Sequence, residues 1–313
     1  MGKYQISPGS FSSLENQVIV LTGGAHGVGE SIVRDLYQVG AHVVFGDIDH
    51  AGCERLVREL KTDYPQATGT VIFRRVDVRS YDDNLALFRA AYEKHRHVDH
   101  ALSIAGVTEG ENWFDATLDL ETVERQPSTA VLDINLLGAL YFSRIAAVYL
   151  RQGNDSKKDK SLLLTGSLAA FKEQAGLFVY SPAKHGVMGL FRSIRRNLYC
   201  LHGIRVNILC PSLIRTAMAS KVEHIWEERG LPINTAKEVG DVAINFTALP
   251  KQKDGEIHTN LAVYVEGGKA WEFESVLHEL DNQWLSENMS KNCKAIDDAL
   301  GVGSGWTTEK PSN

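Results

Sequence analysis

The chain has few cysteines. Four in 313 residues (Cys53, Cys200, Cys210, Cys293), scattered and without a C-x-x-C pair, do not make a disulfide framework or a zinc cage, and they suit a reducing compartment. Positive charge is not in excess: 33 Lys and Arg stand against 39 Asp and Glu, for a formal net charge of −6. A basic footprint for nucleic acid is therefore not expected. No run of about 18 consecutive apolar residues occurs, so no membrane span is expected either. The opening MGKYQISPGSFSS lacks the apolar stretch of a secretory signal, and Ile6 stands where a myristoylation pattern needs Ser or Thr. The closing Pro-Ser-Asn is not a peroxisomal address, so a cytoplasmic protein is expected. What is present is an ordinary globular composition, 43% hydrophobic and 23% charged, in a chain long enough for two domains or one large α/β domain.

Short apolar runs at residues 18–21, 42–45, 71–76, 98–105, 161–164, 204–209 and 261–265 read as buried strands. Between them apolar residues recur at helical spacing: Ile32, Val33, Leu36 and Val39; Leu56, Val57 and Leu60; Leu85, Phe88 and Ala91; then residues 131–150 and 180–201. Continuous rather than alternating apolar strands, each followed by a helix, predict a doubly wound α/β fold. Its parallel sheet has about seven strands, with helices on both faces. Residues 1–14 are expected to be flexible, 15–270 to form the Rossmann-like domain, and 301–313, rich in Gly, Ser and Thr, to be disordered. Residues 271–300 form a C-terminal helical extension, where Phe273, Val276, Leu277, Leu280, Trp284, Leu285 and Met289 fall on one helical stripe. Residues 153–160 (GNDSKKDK) read as a solvated loop. His95, His97 and His100 straddle a helix end and a strand start, and read as surface residues rather than a metal site.

Thr22-Gly23-Gly24-Ala25-His26-Gly27-Val28-Gly29 joins the first strand to the first helix. Glycines there let the backbone approach a pyrophosphate, and the helix N-terminus supplies N–H donors and positive dipole. The spacing is Gly-x-x-x-Gly-x-Gly rather than G-x-G-x-x-G, and no Gly-Lys-Ser/Thr follows, which excludes a P-loop. Thr22, Gly23, His26, Gly27, Val28 and Gly29 are the expected cofactor contacts. Asp47 closes the second strand, near the spacing of a ribose-binding acid, with Ile48 beside it. A carboxylate there accepts bonds from both ribose hydroxyls and repels a 2′-phosphate, which favours NAD. A protonated His26 would offer that phosphate a partner, so NADP stays open.

Tyr180-Ser-Pro-Ala-Lys184 places a phenol and an ammonium on one helical face. The ammonium is expected to stabilise the phenolate and lower the pKa of Tyr180, making it a general acid/base near working pH. Ser167, just after the strand at 161–164, would hold the substrate oxygen beside it. No metal is required.

These motifs resemble the short-chain dehydrogenase/reductase family over about residues 15–270. The match comprises Thr22-Gly23-x-x-x-Gly27-x-Gly29, Asp77-Val78, Ala105-Gly106, Asn135, Ser167, Tyr180-x-x-x-Lys184 and Pro211-x-x-x-x-Thr216. The resemblance implies hydride transfer between a nicotinamide and an alcohol or ketone. Ser167, Tyr180 and Lys184 would catalyse it, and Asn135 would complete a tetrad by holding a proton-relay water. It further implies that Asp77 and Val78 flank the adenine, that Ala105 and Gly106 line the ribose, that Pro211, Ile214 and Thr216 hold the nicotinamide end, and that Lys184 binds its ribose. Homodimers or homotetramers are the implied assembly. Two positions depart from the family: Ser103-Ile104 stands for Asn-Asn, and Ser212 follows Pro211 in place of Gly. Both bear on local loop geometry and remove no catalytic group.

Leu168, Phe171, Leu177, Phe178, Met218, Val222 and Trp226 are mostly apolar and point to a hydrophobic, polycyclic or aromatic secondary alcohol or ketone, with residues 216–235 as a flap. The segment 265–284 is similar to the fungal secondary-metabolite branch of the family, near the hydroxyprostaglandin and hydroxyaverantin dehydrogenases. Two other classes stay open: a non-redox cyclase or Diels–Alder catalyst on the same fold, and a dinucleotide-sensing regulator without turnover.

Overall fold

Apolar, β-branched runs form the strands, and capped amphipathic segments form the helices between them. In the computed structural model, which describes all residues except 1, 7, 153–158, 249–258, 301 and 303–313, the chain runs β1 (Gly2–Tyr4), a 3-10 turn (Pro8–Leu14), β2 (Val18–Thr22), α1 (Gly27–Gln38), β3 (His42–Asp47), α2 (His50–Asp63), β4 (Val71–Arg75), α3 (Tyr81–His95) and β5 (His100–Ser103). A long helix follows in three parts: α4 (Ala130–Leu132), a π-helical segment (Asp133–Leu137) and α5 (Gly138–Tyr149). Then come β6 (Lys160–Thr165), α6 (Tyr180–His202), β7 (Ile204–Pro211), β8 (Ile214–Arg215), α7 (Glu223–Glu228), β9 (Asn234–Thr235), α8 (Ala236–Ala248), β10 (Ala262–Glu266) and β11 (Lys269–Glu272). The last described elements are α9 (Glu274–Glu279), α10 (Asp281–Trp284) and α11 (Glu287–Leu300). Local chemistry sets several ends. Asp49 caps α2 by accepting from Gly52 N (3.0 Å), Ser80 caps α3 by accepting from Asp83 N (3.1 Å), and Gly203 ends α6 in the left-handed conformation.

The main sheet has the order β1-β11-β10-β7-β6-β5-β2-β3-β4. The strands from β10 to β4 are parallel, in agreement with the expected doubly wound sheet. Alternate strand residues face opposite layers. Ile19 and Leu21 pack with Ile32, Leu36, Leu56 and Phe246 of α1, α2 and α8, while Val18 and Val20 pack with Phe88, Phe142 and Phe191 of α3, α5 and α6. Strand order reverses between β2 and β5, and the crevice that this opens at their C-terminal ends carries the candidate site. One helix among the described residues, Ala130–Tyr149, has the length and composition of a bilayer span. It instead packs Phe142, Ile145 and Ala146 against the sheet.

Four expectations are corrected. Residues 1–14, expected to be flexible, are tied down at several described positions: β1 pairs antiparallel with β11, Tyr4 and Leu14 are buried, and the Tyr4 hydroxyl accepts a bond from Asn245 (2.8 Å). The tail does not form one helical stripe. It adds β11, antiparallel to β10, and then three helices, of which the last two are separated at Ser286, whose φ of 66° terminates a helix. Phe273 is buried and stacks on Phe171 (4.2 Å), whereas Leu277, Leu280, Trp284 and Met289 are exposed. In the run 153–160, residues 153–158 lie outside the described residues, and the end of the run is not solvated. Lys160 is buried against Asp99 (2.6 Å), and Asp159 takes a two-point bond from Arg205 (2.7 and 2.5 Å), because the N-terminal ends of β5, β6 and β7 close over these groups. The histidines are not uniformly at the surface. His100 is buried and bonds Ser161 (2.8 Å), and burial pushes it down to about 4. His95 stacks on His42 (4.4 Å).

Candidate active site

At the end of β2 the Gly23 and Gly24 N–H groups donate to Gly46 O (2.7 and 3.3 Å), which pins the glycine-rich turn onto β3. Gly23 and Gly27 have φ of 72° and 54°, which favours glycine. A Cβ on Gly23 would come within 2.7 Å of Ala105 Cα, and one on Gly27 within 3.2 Å of Thr216 Cγ2. The turn is thus a cradle that side chains would fill, and no side chain caps α1 behind it. These features fit a dinucleotide pyrophosphate. Thr22 is buried, and its hydroxyl accepts from Ala105 N (3.4 Å).

Asp47 stands at the end of β3 as expected and has local bonds: its two oxygens accept from Ala25 N and Asp49 N (3.0 Å each). His26 pairs with Asp49 (2.7 Å), a carboxylate held below its ordinary range by the Gly52 N–H and by His26. Ile48 beside Asp47 is exposed. Asp77 follows β4 on the neighbouring strand and is tied to Arg79 (2.6 Å), and Val78 is buried against Gly138. Pro211 ends β7 beside Val265; Ile214 lies in β8, and Thr216 follows it over Gly27.

The other half of the site rises from β6 and α6. Ser167 begins the turn after β6, where its Oγ accepts from Ala169 N (3.2 Å) and shares a hydrogen bond with the Tyr180 phenol. Tyr180 is the first residue of α6, and Lys184 stands one turn on, with Nζ 5.6 Å from the Tyr180 ring centre. Lys184 is 4% exposed and donates to Thr165 O (2.9 Å); burial pushes it down to about 8. Tyr180 departs from expectation. Burial raises its phenol above the ordinary value, with the Ser167 bond working against the rise. Asn135, 2% exposed in the π-helical segment, exchanges two bonds with Val107, Oδ1 accepting from its N–H and Nδ2 donating to its carbonyl (2.8 Å each). Gly106 lies between: a Cβ there would be 3.0 Å from Asn135 Oδ1 and 3.6 Å from Lys184 Nζ. Among the expected substrate residues, Phe178 and Met218 are exposed, and Phe171 belongs to the core against Phe273. The sequence reading omitted Glu109, whose carboxylate accepts from Val179 N and Tyr180 N, and Phe114, whose ring lies 5.1 Å from that of Phe178.

A glycine cradle on a strand–helix turn, with a Ser-Tyr-Lys-Asn cluster at the same end of a doubly wound sheet, defines a dinucleotide-binding α/β enzyme. The chain belongs to the short-chain dehydrogenase family, whose model matches residues 17–225. It is an oxidoreductase of the kind that acts on alcohol or ketone groups with NAD or NADP. It is 29% identical over 267 residues to the short-chain dehydrogenase/reductase ascJ of Acremonium egyptiacum, covering 85% of this chain and 86% of that protein. It is 27% identical over 278 residues to a 5′-hydroxyaverantin dehydrogenase of Dothistroma septosporum, covering 82% and 87% respectively. The fold is shared with a short-chain type dehydrogenase/reductase from Mycobacterium ulcerans, at a TM-score of 0.68, 20% identity and coverage of 89% of this chain and 98% of that one.

Proposed function

We propose that this enzyme interconverts a secondary alcohol and a ketone on a hydrophobic, polycyclic or aromatic small molecule in secondary-metabolite biosynthesis. The observation that carries the reading is one connected cluster: Asn135 and Lys184 face Gly106, Lys184 lies over the Tyr180 ring, and Tyr180 bonds Ser167, with Ala105 against Gly23 of the glycine cradle. Exposed Phe178 and Met218 near the site support an apolar substrate, and the likeness to a 5′-hydroxyaverantin dehydrogenase supports a hydroxylated one.

Thr22, Gly23, His26, Gly27, Val28, Gly29, Asp47, Ile48, Asp77, Val78, Ala105, Gly106, Tyr180, Lys184, Pro211, Ile214 and Thr216 would hold a nicotinamide dinucleotide, which when bound would supply or take the hydride. The chain's own residues manage the proton. Ser167 and Tyr180 hold the substrate oxygen between their hydroxyls, and Tyr180 gives its phenol proton to that oxygen in reduction or takes one in oxidation. Lys184 and Asn135 stand behind it to resupply the proton. NAD is preferred, because the Asp47 carboxylate repels a 2′-phosphate and the imidazoles of His26 and His50 are engaged by Asp49 and Glu54. The assembly is a homodimer or homotetramer.

The test follows absorbance of reduced nicotinamide with 1-phenylethanol and 1-tetralol and with the matching ketones. Turnover by the wild type that falls at least about 100-fold in Tyr180→Phe is the expected result. Cofactor binding with no change in its absorbance in the presence of any of these compounds would instead indicate a sensor or a non-redox catalyst. A tenfold preference for NADP would refute the Asp47 argument, and a monomer by light scattering would refute the assembly.

A further inference from the structure

Residues 105–109, which follow β5, touch both the glycine cradle and the catalytic cluster. Ala105 meets Thr22 and Gly23, Gly106 faces Asn135 and Lys184, and Val107 exchanges two bonds with Asn135. Two residues further on, Glu109 reaches the start of α6. Its Oε1 accepts from Val179 N (3.1 Å), and its Oε2 accepts from Val179 N (3.2 Å) and Tyr180 N (2.8 Å). Val179, at the head of the helix, has no side chain able to cap it. The same loop is held a second time where Phe114 packs on Phe178. The turn before Tyr180 is closed by Ser181 N donating to Leu177 O (3.1 Å), but the N–H groups of Val179 and Tyr180 are among those that the start of a helix leaves without an intrahelical partner, and first turns fray. Glu109 supplies the missing restraint from a different element.

We propose that Glu109 is a positioning residue for Tyr180: its carboxylate fixes the amino end of α6 and thereby the place of the phenol against Ser167 and Lys184. The proposal rests on the reading of Tyr180 as the proton-transfer group. Loss of the restraint leaves binding of the dinucleotide, at the other half of the crevice, intact while the phenol wanders, so the cost falls on kcat rather than on KM. Glu109 also sets a negative charge at the positive end of α6. The other groups facing the phenol are the Ser167 hydroxyl, Lys184 on its own helix, and the Cys210 thiol from β7, which burial pushes up to about 12 and keeps neutral. Removing the Glu109 charge therefore eases ionisation of Tyr180.

The experiment uses Glu109→Gln and Glu109→Ala in the full chain, with NAD and 1-phenylethanol. Expected are a loss in kcat of about 10-fold in Glu109→Ala and less in Glu109→Gln, with KM for NAD within about twofold. In Glu109→Gln the rising limb of the oxidation profile should move to lower pH by about half a unit. Both variants keeping kcat within about twofold, with an unmoved limb, would overturn the proposal. Should the wild type not turn over at all, the active-site reading fails separately. The proposal is then decided by NMR of ¹³Cζ-tyrosine protein, with the Tyr180 signal assigned by its loss in Tyr180→Phe. A Tyr180 resonance displaced in Glu109→Gln and titrating about half a unit lower supports it, and one that coincides with the wild type overturns it.

Discussion

Lys184 is the residue at which burial and charge are most opposed. It is nearly enclosed, its ammonium meets one carbonyl at Thr165, and burial pushes its pKa from 10.5 down to about 8. The sign for stability follows. Below about pH 8 both folded and unfolded chains hold the proton, and the folded state bears the full cost of the buried charge. Between about 8 and 10.5 the unfolded chain holds a proton that the folded one has released, so stability rises with pH. A Lys184→Met variant does not titrate. Its advantage in stability over the wild type should therefore shrink by about 2 kcal/mol between pH 7 and 9.5, a window below the raised Tyr180 phenol, as measured by urea unfolding. An unchanged gap would mean that Lys184 is not desolvated as described. The same variant should lose nearly all turnover at every pH.

At the scale of elements, the joint between α6 and the β11–α9 corner rests on one acid. Glu274 is 3% exposed and holds Arg192 through two bonds (2.9 Å each) and Arg195 through a third (3.0 Å). Burial works to raise its pKa, yet the arginines win and hold it below the ordinary range. Glu274→Ala strands the buried Arg195, although that guanidinium keeps Phe191 and Asn260 O as neighbours, and should cost about 2–3 kcal/mol in urea unfolding. Arg192→Ala, at a half-exposed position, should cost under about 1 kcal/mol. Equal costs would contradict the burial argument. The elements differ in how legible they were. The seven parallel strands declare themselves because each contains a short apolar run, although β4 ends in exposed Arg74 and Arg75. β1 (Gly-Lys-Tyr) and β11 (Lys-Ala-Trp-Glu) lie beyond them at one edge, partly in contact with solvent, and carry no apolar run. The π-helical segment left no trace either, since its extra residue disturbs the helical spacing of Ile134 and Leu136 too little to register. At the site, Tyr180, Lys184 and Ser167 could be found by spacing, and Asn135 by resemblance. Glu109 could not: its partners Val179 and Tyr180 lie 70 and 71 residues away, and only the folded loop brings them together.

At the scale of the whole molecule, Gly2 pairs with Glu272 and Tyr4 with Ala270, so the sheet ends where the described chain begins. Tyr4 packs on Phe246 (5.0 Å) and bonds Asn245 of α8, which in turn lies on α1 behind the glycine cradle. Deleting residues 2–6 should strip the β11 edge and lower Tm by about 5 °C, from about 2 kcal/mol of lost aromatic burial and edge pairing. The cradle itself is untouched, so KM for NAD at 25 °C should stay within about twofold, and a larger change would mean that β1 acts on the site through α8. The exposed β11 edge should also raise aggregation on heating, read by light scattering. During synthesis, β1 is made long before β11 exists. Through nearly the whole of translation Tyr4 has no strand to join, and the nascent chain must keep it from other partners. This edge of the sheet can therefore close only after β11 has been made, and a chain that stops before Lys269 should leave β1 without its partner strand.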